Sequence, residues 1–146
     1  MKKISPKELD NLIKARIESL REYADSKGTL PEKGQAETNF LLAKLLHATL
    51  TNARMSGADL GRARLIGADL SGADLSKADL IGANLCKANL SGTNLSEARL
   101  IFSYLMGANL SRANLSNADL REAKYDQKTI WPDGFDPKEA GAILHK

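Results

Sequence analysis

Residues 68–76 read Ala-Asp-Leu-Ser-Gly-Ala-Asp-Leu-Ser, and this pattern returns every five residues from Thr38 to Gln127. Each unit has a central apolar residue, from Phe40 to Tyr125, and fifteen of the eighteen centres are Leu. A small residue, usually Ala, stands two positions before each centre, and a mostly polar residue stands between the two. Because no shift of register interrupts these ninety residues, the chain is a tandem repeat.

A period of five predicts a chain that turns a corner in every unit. Alternate side chains of an extended segment share a face, so the small residue and the central Leu both point inward and the polar residue points outward. One long strand is excluded, because its inward and outward positions would exchange at each unit. The last two residues of each unit are rich in Ser, Gly, Lys and Asn, which suit a turn. The backbone hydrogen bonds then connect one coil to the next.

The run 58–60, Ala-Asp-Leu, and the longer run 68–76 resemble the pentapeptide repeat proteins. The resemblance covers 38–127, about three fifths of the chain, and implies an all-β solenoid, a right-handed quadrilateral β-helix with four units per coil. Eighteen units then make about four and a half coils, closed by helical caps. The ending 131–137, Trp-Pro-Asp-Gly-Phe-Asp-Pro, resembles the tails of cyanobacterial members of the family.

The segment 1–37 is expected to form an N-terminal capping helix and a linker. Ser5-Pro6-Lys7-Glu8 is a capping box with Pro at the first helical position. The apolar residues of 5–26 then lie on one stripe, which predicts a helix that covers the first coil. A helix that binds a partner is the alternative. Residues 36–47 fit either a second short helix or the first coil, and we interpret them as the first coil.

The segment 128–146 is expected to form a turn and a second capping helix. Lys128 falls at the inward small position and breaks the pattern. Asp136 and Pro137 favour a helix start, so a short helix through about Leu144 is predicted. Its apolar residues and those of the preceding turn are expected to close the end of the rod, and they are Trp131, Phe135, Ile143 and Leu144.

The composition indicates no catalytic chemistry. The net charge is only +3, no apolar run has the length of a membrane span, and the polar start shows no signal peptide, so a cytoplasmic protein is expected. The single Cys86 excludes an intramolecular disulfide and a multi-cysteine metal site. His47 and His145 have no credible nucleophile or acid beside them in the sequence. We expect no enzyme, no cofactor, no bound metal and no small-molecule substrate.

Outward positions stack at a spacing of twenty residues, and two of the four resulting columns after the centres are apolar. One column reads Leu46, Ile66, Cys86 and Met106, and its neighbour reads Leu41, Gly61, Ile81 and Ile101. The other two columns are hydroxylic. Phe102 and Tyr104 are also outward, so a contiguous apolar band across two adjacent faces is predicted. The candidate interaction surface, called the apolar band below, consists of Ile66, Ile81, Cys86, Ile101, Phe102, Tyr104 and Met106.

Two explanations of the apolar band remain open. Either the N-terminal helix covers part of it, or it binds another protein or a second copy of this chain. The leading functional hypothesis is therefore a non-catalytic protein-interaction scaffold. The resemblance also implies an alternative, a DNA-mimicking regulator of a type II topoisomerase, because some members confer fluoroquinolone resistance.

The charge pattern disfavours that alternative. A DNA mimic needs a dense negative surface, whereas 38–127 contains ten Lys and Arg against eight Asp and Glu. The one acidic column, with Asp59, Asp79 and Asp119, is interrupted by Arg99. Direct binding of nucleic acid is also poorly supported, since the positive excess is slight and scattered.

Overall fold

Parallel backbone pairing at a fixed spacing organises the repeat region. The computed structural model describes Lys7, Glu8, Asn11 and residues 50–146. Within this part, eleven of the twelve isolated bridges join residues twenty positions apart, and all are parallel. Four five-residue units therefore complete one coil, and the coils stack along the axis of a four-sided rod.

Leu and Ala fill the interior of this rod. Every Leu centre from Leu60 to Leu110 is at most 1% exposed, and the small residues between Ala53 and Ala108 are buried as well. This is the alternation expected of a short extended segment whose two outer residues share one face. The core is thus a set of Leu columns, in which each side chain lies between its equivalents one coil below and one coil above.

Tight turns form the corners between successive sides. The carbonyl oxygen of each centre from Leu50 to Leu120 accepts a hydrogen bond from the backbone N–H three residues on, as Leu80 does from Ala83 at 3.0 Å. The residue before that donor has a positive φ, 58° at Asn52 and 69° at Gly57. A positive φ at the third position is typical of a type II turn, which favours Gly and Asn. The corner requirement therefore explains why Gly recurs at one position of the repeat.

The polar residues between the inward pairs hold these corners in place. Asp69 Oδ1 accepts hydrogen bonds from the Ser71 backbone N–H at 3.1 Å and from the Ser71 hydroxyl at 2.6 Å, and the latter bond is the main reason that the pKa of Asp69 is lowered. Such side-chain bonds to the backbone two residues on stabilise turns. The carboxylates that look solvent-facing in the sequence are therefore part of the turn. The same backbone bond is made by Asp59, Asp74, Asp79, Asn84, Asn89, Asn94, Asn109, Asn114 and Asp119.

One extra residue enters the last coil. Asn109 bridges to Ile130, twenty-one positions away. As a result Thr129, not Lys128, takes the small inward position. Its hydroxyl donates to the carbonyl oxygen of Leu105 at 2.9 Å, just as the inward Thr93 donates to Leu70 at 2.8 Å. The prediction for Lys128 is wrong because the fixed period of five cannot reveal an insertion.

Asp126 stabilises this insertion through hydrogen bonds to the backbone. Its Oδ1 accepts backbone hydrogen bonds from Gly107 at 2.9 Å, Lys128 at 3.0 Å and Thr129 at 3.1 Å. One coil earlier, the equivalent N–H of Lys87 donates to a backbone carbonyl, that of Met106. The Asp126 carboxylate thus replaces a ladder carbonyl. The hydrogen bond from Gly107 is the largest cause of a lowered pKa of Asp126.

Replacing Asp126 by Asn should lower the melting temperature at pH 7 and make this loss vanish in acid. A carboxylate with a lowered folded pKa stabilises fully above its unfolded pKa of about 3.9, and this contribution is lost as the pH falls through the folded pKa. Thermal melts of both proteins from pH 7 to pH 2 measure the difference. A difference that stays constant over this range would contradict the assigned role of the charge.

The C-terminal segment ends in a strand, and the predicted helix through Leu144 is wrong. Strand β1, Lys124–Tyr125, pairs in parallel with strand β2, Ile143–Leu144. Asp136 does act as an N-cap, since its Oδ1 accepts the backbone N–H of Lys138 at 2.9 Å. Only a single hydrogen-bonded turn follows before β2.

Gly141 stops that turn. Its φ is 89°, a left-handed conformation that suits Gly, and its N–H donates to the carbonyl of Lys138 at 3.0 Å. The next N–H, of Ala142, donates to Pro137 at 2.9 Å, which completes a Schellman motif. A helix this short gains little from propagation, so pairing with β1 prevails.

Aromatic side chains close this end of the rod. Trp131 meets Tyr125 edge-on with ring centroids 5.4 Å apart and stacks on Phe135 at 5.2 Å. Trp131, Phe135 and Leu144 pack against the core, as predicted. Ile143 does not, because its pairing with Lys124 turns it outward, and it is 44% exposed.

At the N-terminal end the structure describes only three positions. Lys7, Glu8 and Asn11 are helical and exposed. The rest of the predicted helix over 5–26, the linker to residue 37 and the repeat units before residue 50 lie outside the described residues, as does the interpretation of 36–47. In the part that is described, no helix combines the length and the apolar character needed to span a membrane.

Candidate interaction surface

One side of the rod carries the whole apolar band. The outward residues along this side are Arg64, Asn84, Tyr104 and Lys124, which bridge one another in register. Sequence order places the turns 81–82 and 101–102 at one edge of it, and the turns 66–67, 86–87 and 106–107 at the other. The apolar columns therefore occupy the two corners of a single side, which we call the band side. The prediction of two adjacent faces is wrong, because the residue after each centre lies in a turn.

The members of the apolar band differ in exposure. Phe102 is 57% exposed and Tyr104 is 37% exposed. The corner residues are half-buried, since their turns stack on those of the next coil at the usual strand spacing of about 4.8 Å. These corner residues are Ile66, Ile81, Cys86, Ile101 and Met106. The structure thus brings together all seven residues that the sequence singled out.

The two exposed aromatic residues are held at defined positions. Phe102 has a φ of 59°, which is uncommon for a bulky residue, and it projects from its corner. The residue below it in the same column is Gly82, which leaves that neighbour without a side chain. Lys124 Nζ lies 5.3 Å from the centroid of the Tyr104 ring, within the range of a cation–π interaction.

Positive charge borders the apolar band. Arg62, Arg64, Lys87 and Lys124 lie on the band side or at its corners, and none of them forms an ion pair with another described residue. Two other arginines are paired: Arg99 pairs with Asp79 at 3.3 Å, and Arg121, at a corner of the band side, pairs with Asp119 at 2.6 Å. In the sequence, the outward column of Arg64, Asn84, Tyr104 and Lys124 indicates only part of this border, since Arg62 and Lys87 belong to other columns.

The opposite side presents hydroxyl groups at its corners. Ser56 and Ser76 are joined through their Oγ atoms at 2.9 Å, and the Ser76 hydroxyl donates to Asp74 at 2.6 Å. Ser91 donates to Asn89 in the same way. Since these hydroxyls bond within the rod, the opposite side is polar but largely self-satisfied.

The described residues offer little to a reaction. None of their His, Cys, Asp and Glu side chains gather in a group that could hold a metal ion. Burial is the main cause that raises the pKa of the Cys86 thiol, which is the reverse of what a nucleophilic thiol requires. His145 lies beside β1, where its backbone N–H donates to Tyr125 at 2.7 Å. His47 lies outside the described residues.

Comparison with known families identifies the repeat. The model of pentapeptide repeats matches eight copies, over 36–62, 53–92, 63–100 and 93–124, and these ranges span more than half of the chain. The chain belongs to the pentapeptide repeat family. Pentapeptide repeat proteins form right-handed quadrilateral β-helices. Because the match begins at residue 36, the family pattern includes the segment that we interpreted as the first coil.

Several solved pentapeptide repeat proteins are similar to this one. The protein alr5209 from Nostoc PCC 7120 is 34% identical, over 75% of this chain and 94% of its own, with a TM-score of 0.52. Rfr23 from Cyanothece 51142 is 36% identical, over 59% of this chain and 62% of its own, with a TM-score of 0.40. HetL from Nostoc PCC 7120, which is involved in regulating heterocyst differentiation, is 32% identical, over 68% of this chain and 50% of its own, with a TM-score of 0.37.

The similarity to alr5209 confirms the resemblance to cyanobacterial pentapeptide repeat proteins. No curated protein sequence matches the chain at a significant level.

Proposed function

We propose that this pentapeptide repeat protein is a non-catalytic interaction scaffold whose band side binds a protein. The observation that carries the proposal is the exposure of Phe102 and Tyr104 beside the half-buried Ile81, Ile101 and Met106. Scattered surface apolar residues are ordinary, but apolar residues gathered on one surface mark binding sites. The residues proposed to make the contact are those of the apolar band.

The backbone ladder supports a scaffold role because it keeps the binding side chains at fixed spacings. Along the band side, Tyr104 N–H donates to Ala83 at 2.9 Å and Leu85 N–H donates to Tyr104 at 2.8 Å. We further propose that the rod extends over 38–127, as about four and a half coils with a helical N-terminal cap. The family match from residue 36 and the helical conformation of Lys7, Glu8 and Asn11 support this extension.

The chemistry of the described side chains supports binding rather than catalysis. The Asp and Asn of the repeat accept backbone hydrogen bonds at the corners, and the one thiol has a raised pKa. The proposal therefore includes no catalytic residue, cofactor or small-molecule substrate. It also includes a cytoplasmic location, for which the support is the charged composition and the single cysteine.

A DNA-mimicking regulator of a type II topoisomerase has less support. Phosphate mimicry needs free carboxylates in a dense array. Here Arg99 interrupts the acidic column and pairs with Asp79, while Asp119 is held by Arg121. The remaining Asp carboxylates of the described repeat, Asp59, Asp69, Asp74 and Asp126, accept hydrogen bonds from the turns of the rod.

The double change Ile101→Ser, Phe102→Ser should abolish partner binding and leave the fold nearly intact. Both residues lie in a surface turn, and surface changes away from the core usually cost within about 0.5 kcal/mol. Sedimentation velocity of the pure protein measures self-association, and cross-linking at native abundance detects binding of a different protein. Thermal melts measure stability. The change Ser111→Ala, Arg112→Ser alters the same two turn positions at another corner and is the matched control.

The same experiment separates the open alternatives. If residues 5–26 cover the band, the double change should lower the melting temperature and leave the association state unchanged. A variant that is as stable and as associated as the parent contradicts both explanations.

A further inference from the structure

We infer that the partner of the band side is an acidic amphipathic helix of another protein, an inference that rests on the proposed function. The N–H groups of Leu85 and Leu105 on this side already donate to the next coil, at 2.8 and 2.7 Å. A partner strand therefore finds no free edge here, and strand addition is excluded on this side. Recognition has to proceed through side chains.

The dimensions of the band side match those of a helix. Three extended residues between two corners span about 10 Å, close to the diameter of a helix with its side chains. Successive coils are about 4.8 Å apart, and successive helical turns are about 5.4 Å apart. A helix parallel to the rod axis therefore sets one turn on each coil. Its apolar residues at positions i, i+3, i+4 and i+7 then meet the corner pairs Ile81 and Cys86, and Ile101 and Met106.

The positive charges that border the apolar band favour an acidic partner helix. Two glycines let basic side chains lie along the corners beside the apolar band. The Arg62 Cγ is 3.3 Å from the point where a Cβ of Gly82 would be, and the Lys87 Cγ is 3.4 Å from the corresponding point at Gly107. A larger residue at either glycine would displace these stems.

Few carboxylates compete for this basic border. Arg64 and Lys124 extend it along the middle of the side, at opposite ends of the apolar band. Of the two acidic residues at the corners of the described band side, Asp126 is engaged by three backbone N–H groups, which leaves Glu122. Carboxylates that flank the apolar stripe of a partner helix would meet these cations, and such complementarity favours the correct partner over others.

A displayed peptide library tests the inference directly. The library consists of fourteen-residue helices with Leu, Ile or Phe at the apolar positions and with Glu, Gln or Lys at random at the flanking positions. It is selected on the parent protein after depletion on the Ile101→Ser, Phe102→Ser variant. We expect the recovered peptides to be enriched in Glu at the flanks. Recovery of neutral or basic peptides overturns the inference. So does a selection that yields no peptide whose binding depends on the apolar band.

Charge reversal supplies the second arm. Binding of a recovered acidic peptide should weaken by about tenfold or more in Arg64→Glu, Lys87→Glu, and its salt dependence should decrease. The matched control, Arg54→Glu, Arg112→Glu, reverses two cations away from the band side and should leave affinity nearly unchanged. Equal weakening in both variants overturns the inference, because it indicates a response to net charge alone.

The outcomes also separate this inference from the proposed function. A parent protein that dimerises through Ile101 and Phe102 overturns the acidic helix while the scaffold function stands. If the Ile101→Ser, Phe102→Ser variant keeps both the self-association and the cross-linked partner of the parent, the scaffold function itself fails.

Discussion

Leu85→Ala is expected to destabilise the protein by roughly 2–5 kcal/mol, the range for buried Leu to Ala changes. Leu85 is fully buried, and its equivalents one coil away on either side, Leu65 and Leu105, are at most 1% exposed. Removing the side chain therefore leaves a cavity between two coils whose backbones are tied together by ladder hydrogen bonds, so the site cannot collapse to fill it. Denaturant unfolding followed by circular dichroism measures the loss.

Two companion variants sharpen this prediction. Leu85→Asp places an unpaired charge in the same column and should prevent folding, since burial of such a charge costs far more than a cavity does. Ser96→Ala, at an outward turn position, should change stability by no more than about 0.5 kcal/mol. A folded Leu85→Asp protein with an unchanged melting temperature would show that the Leu columns do not form the core.

Trp131→Ala should give the second largest loss of stability, roughly 3 kcal/mol, near the lower limit for Trp to Ala because the side chain is only half-buried. Trp131 occupies an inward position of the last coil and contacts both Tyr125 and Phe135. Without it the end of the Leu columns is open to water. Hydrogen exchange should then accelerate at the amides of Ile143 and His145, which donate to the backbone carbonyls of Ala123 and Tyr125.

Trp131→Phe is the matched control. The Trp131 Nε1–H is buried without a hydrogen-bond partner among the described residues, so its removal relieves an unsatisfied group while a ring remains against Tyr125. The expected cost is below about 1.5 kcal/mol. If Trp131→Ala were as stable as Trp131→Phe, this result would contradict the role of Trp131 in closing the rod.

Much of the fold follows from the repeat because its period links local geometry to burial. Leu85 and Ala83 could be placed inside and Asn84 outside without a structure, since parity is fixed along three extended residues. The turn bonds of Asp69 and its equivalents could also have been predicted. An Asp or Asn whose side-chain oxygen accepts the backbone N–H two residues on is itself a known turn signal.

The candidate site was predictable in its members but not in its layout. The apolar character of Ile101 and Phe102 at outward positions is visible in the sequence. The turn geometry sets the positions of the corners, and these positions place all seven residues on one side. The basic border depends on it as well, because Arg62 and Lys87 come beside the band only through Gly82 and Gly107.

The sequence by itself determined the solenoid, its Leu core, its corners and the apolar character of its candidate surface, because a five-residue period repeats one local solution over ninety residues. Tertiary structure alone decided how the repeat ends. There the inserted residue before Thr129 and the strand at Ile143 break the period, and each follows from pairing with a neighbouring coil. Local propensity favours a helix after Asp136. One helical turn is worth less than the ladder hydrogen bonds that β2 forms with β1, and so the long-range pairing prevails.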